Sequence, residues 1–82
     1  MIGNPKYKLN DIVTFDFGEV GIKTGIIFVV DAYGTFFDDS DVSYDIYVQD
    51  ENRLYKHCKE QYIIEKIGKS EEDVYKLIYE KV

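Results

Sequence analysis

Apolar and polar positions alternate over Ile12-Val13-Thr14-Phe15-Asp16-Phe17, with Val13, Phe15 and Phe17 facing one way and Thr14 and Asp16 the other. A period of two marks a strand with one buried face and predicts a first strand here. Gly18 and Gly21 bracket Glu19 and Val20, which reads as a turn. Ile22 to Tyr33 is nearly free of charge and rich in Ile and Val, so a long second strand is expected. Ile26 and Phe28 lie on one of its faces, Ile27 and Val29 on the other. A strand that is apolar on both faces must bend and serve two sides. Gly25 inside it points to a bulge or a close backbone approach. Residues 34–42 read as a long polar loop carrying two phenylalanines. Tyr44, Ile46 and Val48 then alternate with Asp45 and Tyr47, giving a third strand from Ser43 to Gln49. A turn at Asp50-Glu51-Asn52 leads to a fourth strand, Arg53 to His57. A short crossing at Lys59-Glu60-Gln61 leads to a fifth, Tyr62 to Ile67, ended by Gly68.

From Ser70 to Lys81 the period changes. Ser70 suits a helix N-cap, and Glu71 and Glu72 fall in the first turn, where the helix dipole favours acids. Val74, Leu77 and Ile78 follow at i, i+3 and i+4 and form one apolar stripe. A helix of about 12 residues is marginal alone. The stripe is therefore expected to dock on the strands or on another subunit, and docking through Val74, Leu77 and Ile78 on a second copy would make a homodimer. The expected core is Leu9, Val13, Phe15, Ile27, Val29, Ile46, Val48, Leu54, Ile64 and Ile67.

At 82 residues the chain is expected to be a single domain. Such a core is small, and eight Tyr and five Phe supply much of its area, since each ring buries about 150–250 Å². The one cysteine, Cys58, has no intramolecular partner, which points to a reducing compartment and a cytoplasmic protein. No apolar run reaches the roughly 20 residues a membrane-spanning helix needs, so no membrane association is expected.

The order of these elements resembles the SH3-like barrel over residues 9–67. The residues that carry the likeness are Leu9-Asn10-Asp11-Ile12-Val13-Thr14-Phe15, Gly25-Ile26-Ile27-Phe28-Val29-Val30, Tyr44-Asp45-Ile46-Tyr47-Val48 and the Glu60…Ile63 corner. Tudor- and KOW-type domains and small phage- or mobile-element-encoded barrels show a similar rhythm. The resemblance implies a mainly β fold, a five-stranded SH3-like barrel, with the C-terminal α-helix outside it. Peptide-binding SH3 domains carry an Ala-Leu-Tyr-Asp-Tyr stretch and a groove tryptophan. This chain has neither, which argues against proline-rich ligands.

Charge changes the functional picture most. From Thr24 to Asn52 there is no Lys or Arg, yet there are seven acids: Asp31, Asp38, Asp39, Asp41, Asp45, Asp50 and Glu51. The net charge of −6 is thus −7 from this hairpin and +1 from the remaining nine acids and ten bases. Such a field draws cationic partners and repels phosphate. Aromatics beside acids also suit ammonium and guanidinium groups, through cation–π attraction added to charge. Tyr33, Phe36, Phe37, Asp38, Asp39, Asp41, Asp45 and Tyr47 are therefore the candidate partner-binding residues. A solubility patch is the plain alternative for the acids.

Other chemistry is thin. The stretch from Asp38-Asp39-Ser40-Asp41 through Ser43 to Asp45 offers carboxylates for calcium but lacks the glycine and closing Glu of a calcium loop, and zinc lacks four good ligands, so no metal or other cofactor is expected. His57 and Cys58 are adjacent on a strand and should point to opposite faces, which argues against an activated thiolate. No glycine-rich phosphate loop occurs, and an enzyme is not expected. The lysines at Lys6, Lys8, Lys23, Lys56, Lys59, Lys66 and Lys69 are scattered, which disfavours nucleic acid. The expected function is a non-catalytic interaction module that meets a cationic surface or basic peptide of a protein partner through the acidic, aromatic hairpin. The alternatives are a nucleic-acid-associated KOW-like barrel and a structural accessory subunit.

Overall fold

A computed structural model describes residues 5–31 and 42–79, with the backbone alone at Asp31. Five strands alternate with short turns: β1 (Asp11–Asp16), β2 (Ile22–Asp31), β3 (Ser43–Val48), β4 (Arg53–Lys59) and β5 (Ile63–Lys69). Single turns of 3-10 helix at Gly18–Val20, Gln49–Glu51 and Glu60–Tyr62 join β1 to β2, β3 to β4 and β4 to β5. One short helix, α1 (Val74–Tyr79), follows. Every strand pair is antiparallel, in one sheet of order β4-β3-β2-β1-β5. The fold is mainly β. The sheet is open: β4 and β5 stand at its edges, and no ladder joins them among the described residues.

Each face of the sheet buries its own apolar cluster. The inner cluster joins Val13, Phe15, Ile27, Val42, Tyr44, Ile46, Val48, Tyr55, Cys58 and Ile63, with Tyr7, Phe17 and Val30 against it. The outer cluster is built where α1 lays Val74 on Ile26 and Tyr47, flanked by Ile12, Phe28, Leu54, Leu77 and Ile78. This explains the two-faced apolar run of β2, since Ile27 packs inward while Ile26 and Phe28 meet the helix side. Gly25 is a close approach. A Cβ there would stand 2.6 Å from Ile46 Cγ2 and 2.9 Å from the Tyr47 carbonyl oxygen.

Four expected core residues are instead exposed: Leu9, Val29, Ile64 and Ile67, the last two at 54% and 53%. Leu9 sits in the turn before β1. The β2–β3 register shifts between Ile27 and Val29, which turns Val29 outward. The β1–β5 register shifts twice, passing over Ile64 and Ile67, so the strand's buried residue is Ile63. Such irregularities twist an edge strand and blunt its tendency to pair with other chains. Leu54 is half-buried, on the helix side.

The helix begins at Val74, later than the expected Ser70. The Ser70 hydroxyl donates to the Glu72 carbonyl (2.6 Å) and caps nothing. Asp73 is the cap: its carboxylate accepts from Tyr75 N–H (3.0 Å), and its carbonyl accepts from Lys76 and Leu77. The remaining early donor, Val74 N–H, reaches the side chain of Asn10 (2.8 Å). Val74, Tyr75 and Lys76, the first three amides of the helix, thus all find acceptors outside the regular helix ladder. The stripe of Val74, Leu77 and Ile78 lies on the chain's own sheet.

Candidate functional site

At the end of β1 three aromatic rings form a mutual edge-to-face set. Phe15, Phe17 and Tyr55 have centroids 5.2–6.3 Å apart, and the Arg53 guanidinium lies 4.9 Å from the Tyr55 ring centre. Phe15 and Tyr55 are buried, whereas Phe17 is only half-buried because β1 ends before it and the chain turns at Gly18. Gly18 and Gly21 both take positive φ (71° and 85°), where a glycine is at ease and other residues are strained. Asp16 fixes the same turn, its carboxylate accepting from Gly18 N–H (3.2 Å). Tyr62, which ends the 3-10 turn before β5, stands 43% exposed nearby.

Together Asp16, Phe17, Gly18 and Tyr62 line an open cleft of about 330 Å³. Among the described residues its lining thus pairs two aromatic residues with one acidic residue and a glycine. Aromatic faces beside a carboxylate attract a cation by quadrupole and by charge at once. A metal is a poorer occupant, because no group of three His, Cys, Asp or Glu that could hold one occurs among the described residues.

A polar chain runs beside the cleft. Glu51 accepts from the Tyr55 hydroxyl (2.5 Å) and pairs with the Lys23 ammonium (2.6 Å). The Lys23 hydrogen bond, then that of Tyr55, holds the Glu51 carboxyl below its ordinary range. These contacts consume Glu51 and fix the floor under Phe17.

The residues expected from sequence to bind a partner are only partly placed. Tyr33, Phe36, Phe37, Asp38, Asp39 and Asp41 lie outside the described residues. Tyr47 is buried at 2% exposure beneath α1, and its hydroxyl donates to Asn52 Oδ1 (2.7 Å), so its ring is committed to the fold. Asp45 is half-buried on β3 and accepts from His57 N–H (3.0 Å). His57 has φ 57°, at a register shift of β3 on β4, and the Asp45 carboxylate replaces the ladder bond lost there. Of the seven hairpin acids, Asp45 and Glu51 thus serve the chain itself.

His57 and Cys58 part as expected, His57 to solvent and Cys58 to the core at 0% exposure. Burial pushes the Cys58 thiol up to about 11, which keeps it protonated at neutral pH. The Lys66 ammonium pairs with the buried Asp11 carboxylate (3.2 Å), and Lys69 stands opposite Asp11 in the ladder. Positive charge on β5 is therefore partly neutralised from within. No helix among the described residues is long and apolar enough to cross a membrane.

Comparison with protein-family models, with curated proteins and with solved structures yields no match to this chain.

Proposed function

We propose that this protein is a non-catalytic interaction module that receives a cationic side chain of a protein partner in the cleft of Asp16, Phe17, Gly18 and Tyr62. The observation that carries this is the placing of two partly exposed aromatic rings and an exposed carboxylate around one opening. The net charge of −6 adds long-range attraction for a basic partner. Guanidinium suits the cleft better than ammonium, because its plane stacks on an aromatic face while its edge donates to a carboxylate.

The fold supports the same reading. The strand order β4-β3-β2-β1-β5, with a 3-10 turn carrying the chain from β4 to β5, supports an SH3-like barrel as the finer architecture. The test is a titration of the ¹⁵N-labelled protein with acetyl-arginine amide and with the tripeptide Arg-Gly-Arg. Shifts centred on Asp16, Gly18 and Tyr62, at least threefold weaker binding in Asp16→Asn and near loss in Tyr62→Ala are expected. Shifts elsewhere, or variants that bind as the parent does, would overturn the reading.

A further inference from the structure

The outer face of the sheet carries a second depression, away from that cleft. Two hollows meet along Ile12, Ile26 and Gln49, between α1 and strands β1 and β2. The larger, about 470 Å³, is also bounded by Leu77 and by Lys69, Glu71 and Glu72. The smaller, about 170 Å³, extends over Thr24, Gly25 and Tyr47 to Asp50. Ile12, Ile26, Tyr47 and Leu77 supply the apolar part of the lining. The groove lies beside α1 on the face that β1 and β2 present.

Charge selects the occupant. Asp50 stands on one side of the groove and Glu71 and Glu72 on the other, against the one lysine, Lys69. All three acids are exposed. A second copy of this chain, at −6, would bring like charge to an acidic rim. A short extended segment with basic residues around one apolar side chain meets both demands: the apolar group enters the floor and the bases reach the rim. We infer that this groove docks such a basic segment of a protein partner, independently of the Phe17 cleft.

The test uses the full chain, ¹⁵N-labelled, and the peptide acetyl-Lys-Arg-Leu-Lys-Arg-amide, with a control in which Ser replaces Leu. Amide shifts at Thr24, Ile26, Gln49 and Leu77 are expected, with the Ser peptide binding about tenfold or more weakly. Glu71→Lys combined with Glu72→Lys should weaken the Leu peptide about fivefold or more. Gln49→Arg should weaken it as well, by filling the groove with a cation. These positions are exposed, so a native amide spectrum is expected in each variant and confirms that the fold is intact. Shifts confined to Asp16, Gly18 and Tyr62 would overturn the groove and leave the cleft standing. Equal affinity for the two peptides, or an unchanged affinity after rim reversal, would also overturn it. So would groove shifts that grow with protein concentration in the absence of peptide, since a second copy would then be the occupant.

Discussion

Val74 and Asn10 stand 64 residues apart and meet through one 2.8 Å hydrogen bond, from the helix's first amide to the Asn10 side-chain oxygen. Asn10 does more than this. Its own N–H donates to the Ile27 carbonyl (3.0 Å), and its carbonyl accepts from Ser70 N–H (2.8 Å). A left-handed backbone at φ 75°, which Asn tolerates better than most residues, lets it reach in three directions. One residue thus ties β2, the end of β5 and the start of α1 together.

Asn10→Ala removes the cap and strains the backbone, so a loss of roughly 2 kcal/mol in urea unfolding is expected. Asn10→Gly keeps the backbone at ease and should cost about half as much. Asn10→Asp restores an acceptor at a helix start and should stay near the parent. Faster hydrogen exchange of the Val74 amide in the Ala and Gly variants, but not in Asp, would confirm that the cap is the cause. Equal exchange in all three would show that the bond does not hold the helix.

Gly25→Ala places a methyl group 2.6 Å from Ile46 Cγ2 and 2.9 Å from a backbone oxygen that has no room to move. A destabilisation of about 1–3 kcal/mol is expected from such overpacking. Gly68→Ala serves as the control, since nothing stands within 4 Å of a Cβ there. A Gly25→Ala variant as stable as Gly68→Ala would contradict the packing.

Cys58 is fully buried with its thiol raised by burial alone. Alkylation at pH 8 should therefore be slow in the native protein and become fast only in denaturant, with the native rate following global unfolding. Rapid labelling of the folded protein would contradict the core assignment.

The pH dependence has two limbs with different owners. Glu51 is held below its ordinary value near 4.5, first by Lys23 and then by Tyr55. Its contribution is therefore present above that value and lost as the pH falls through the lower folded value. Glu51→Gln should flatten the acid limb of a urea-midpoint profile. Tyr44 is raised above its ordinary value of 10.0, first by burial and then by donating to Glu60 (2.6 Å). That contribution is complete below pH 10 and lost as the pH climbs beyond it. Tyr44→Phe should cost about 1 kcal/mol at neutral pH and flatten the alkaline limb. Cys58 leaves a residual slope between its ordinary 9.0 and about 11, and Tyr55 and Lys23, both raised by their hydrogen bonds to Glu51, add to it at higher pH.

The strands were legible because local alternation encodes them: Val13 and Phe15, or Ile46 and Val48, face inward as their spacing demands. Gly25, a glycine inside a strand-forming run, read as a bulge or a close backbone approach, and the structure shows the approach. Alternation fails wherever the register slips, which is why Ile64, Ile67 and Val29 looked like core residues and are exposed. The helix start was misplaced because its cap comes partly from Asn10, a contact that no local window contains. Tyr47 looked available because β3 alone does not reveal that α1 covers its outer side. The cleft is the least local feature. Phe17 read as one more inward residue and Tyr62 as the start of a strand. Only the pairing of Phe15 with Ile63 brings them to one opening.

The most direct measurement is an intermolecular nuclear Overhauser experiment on the complex with acetyl-arginine amide, with the protein's Phe and Tyr rings selectively protonated. Contacts from the arginine δ-methylene to both Phe17 and Tyr62, lost in Asp16→Asn at the same ligand concentration, are the result expected of a cation-receiving cleft. Contacts to neither ring, or contacts that persist unchanged without the Asp16 carboxylate, would contradict it.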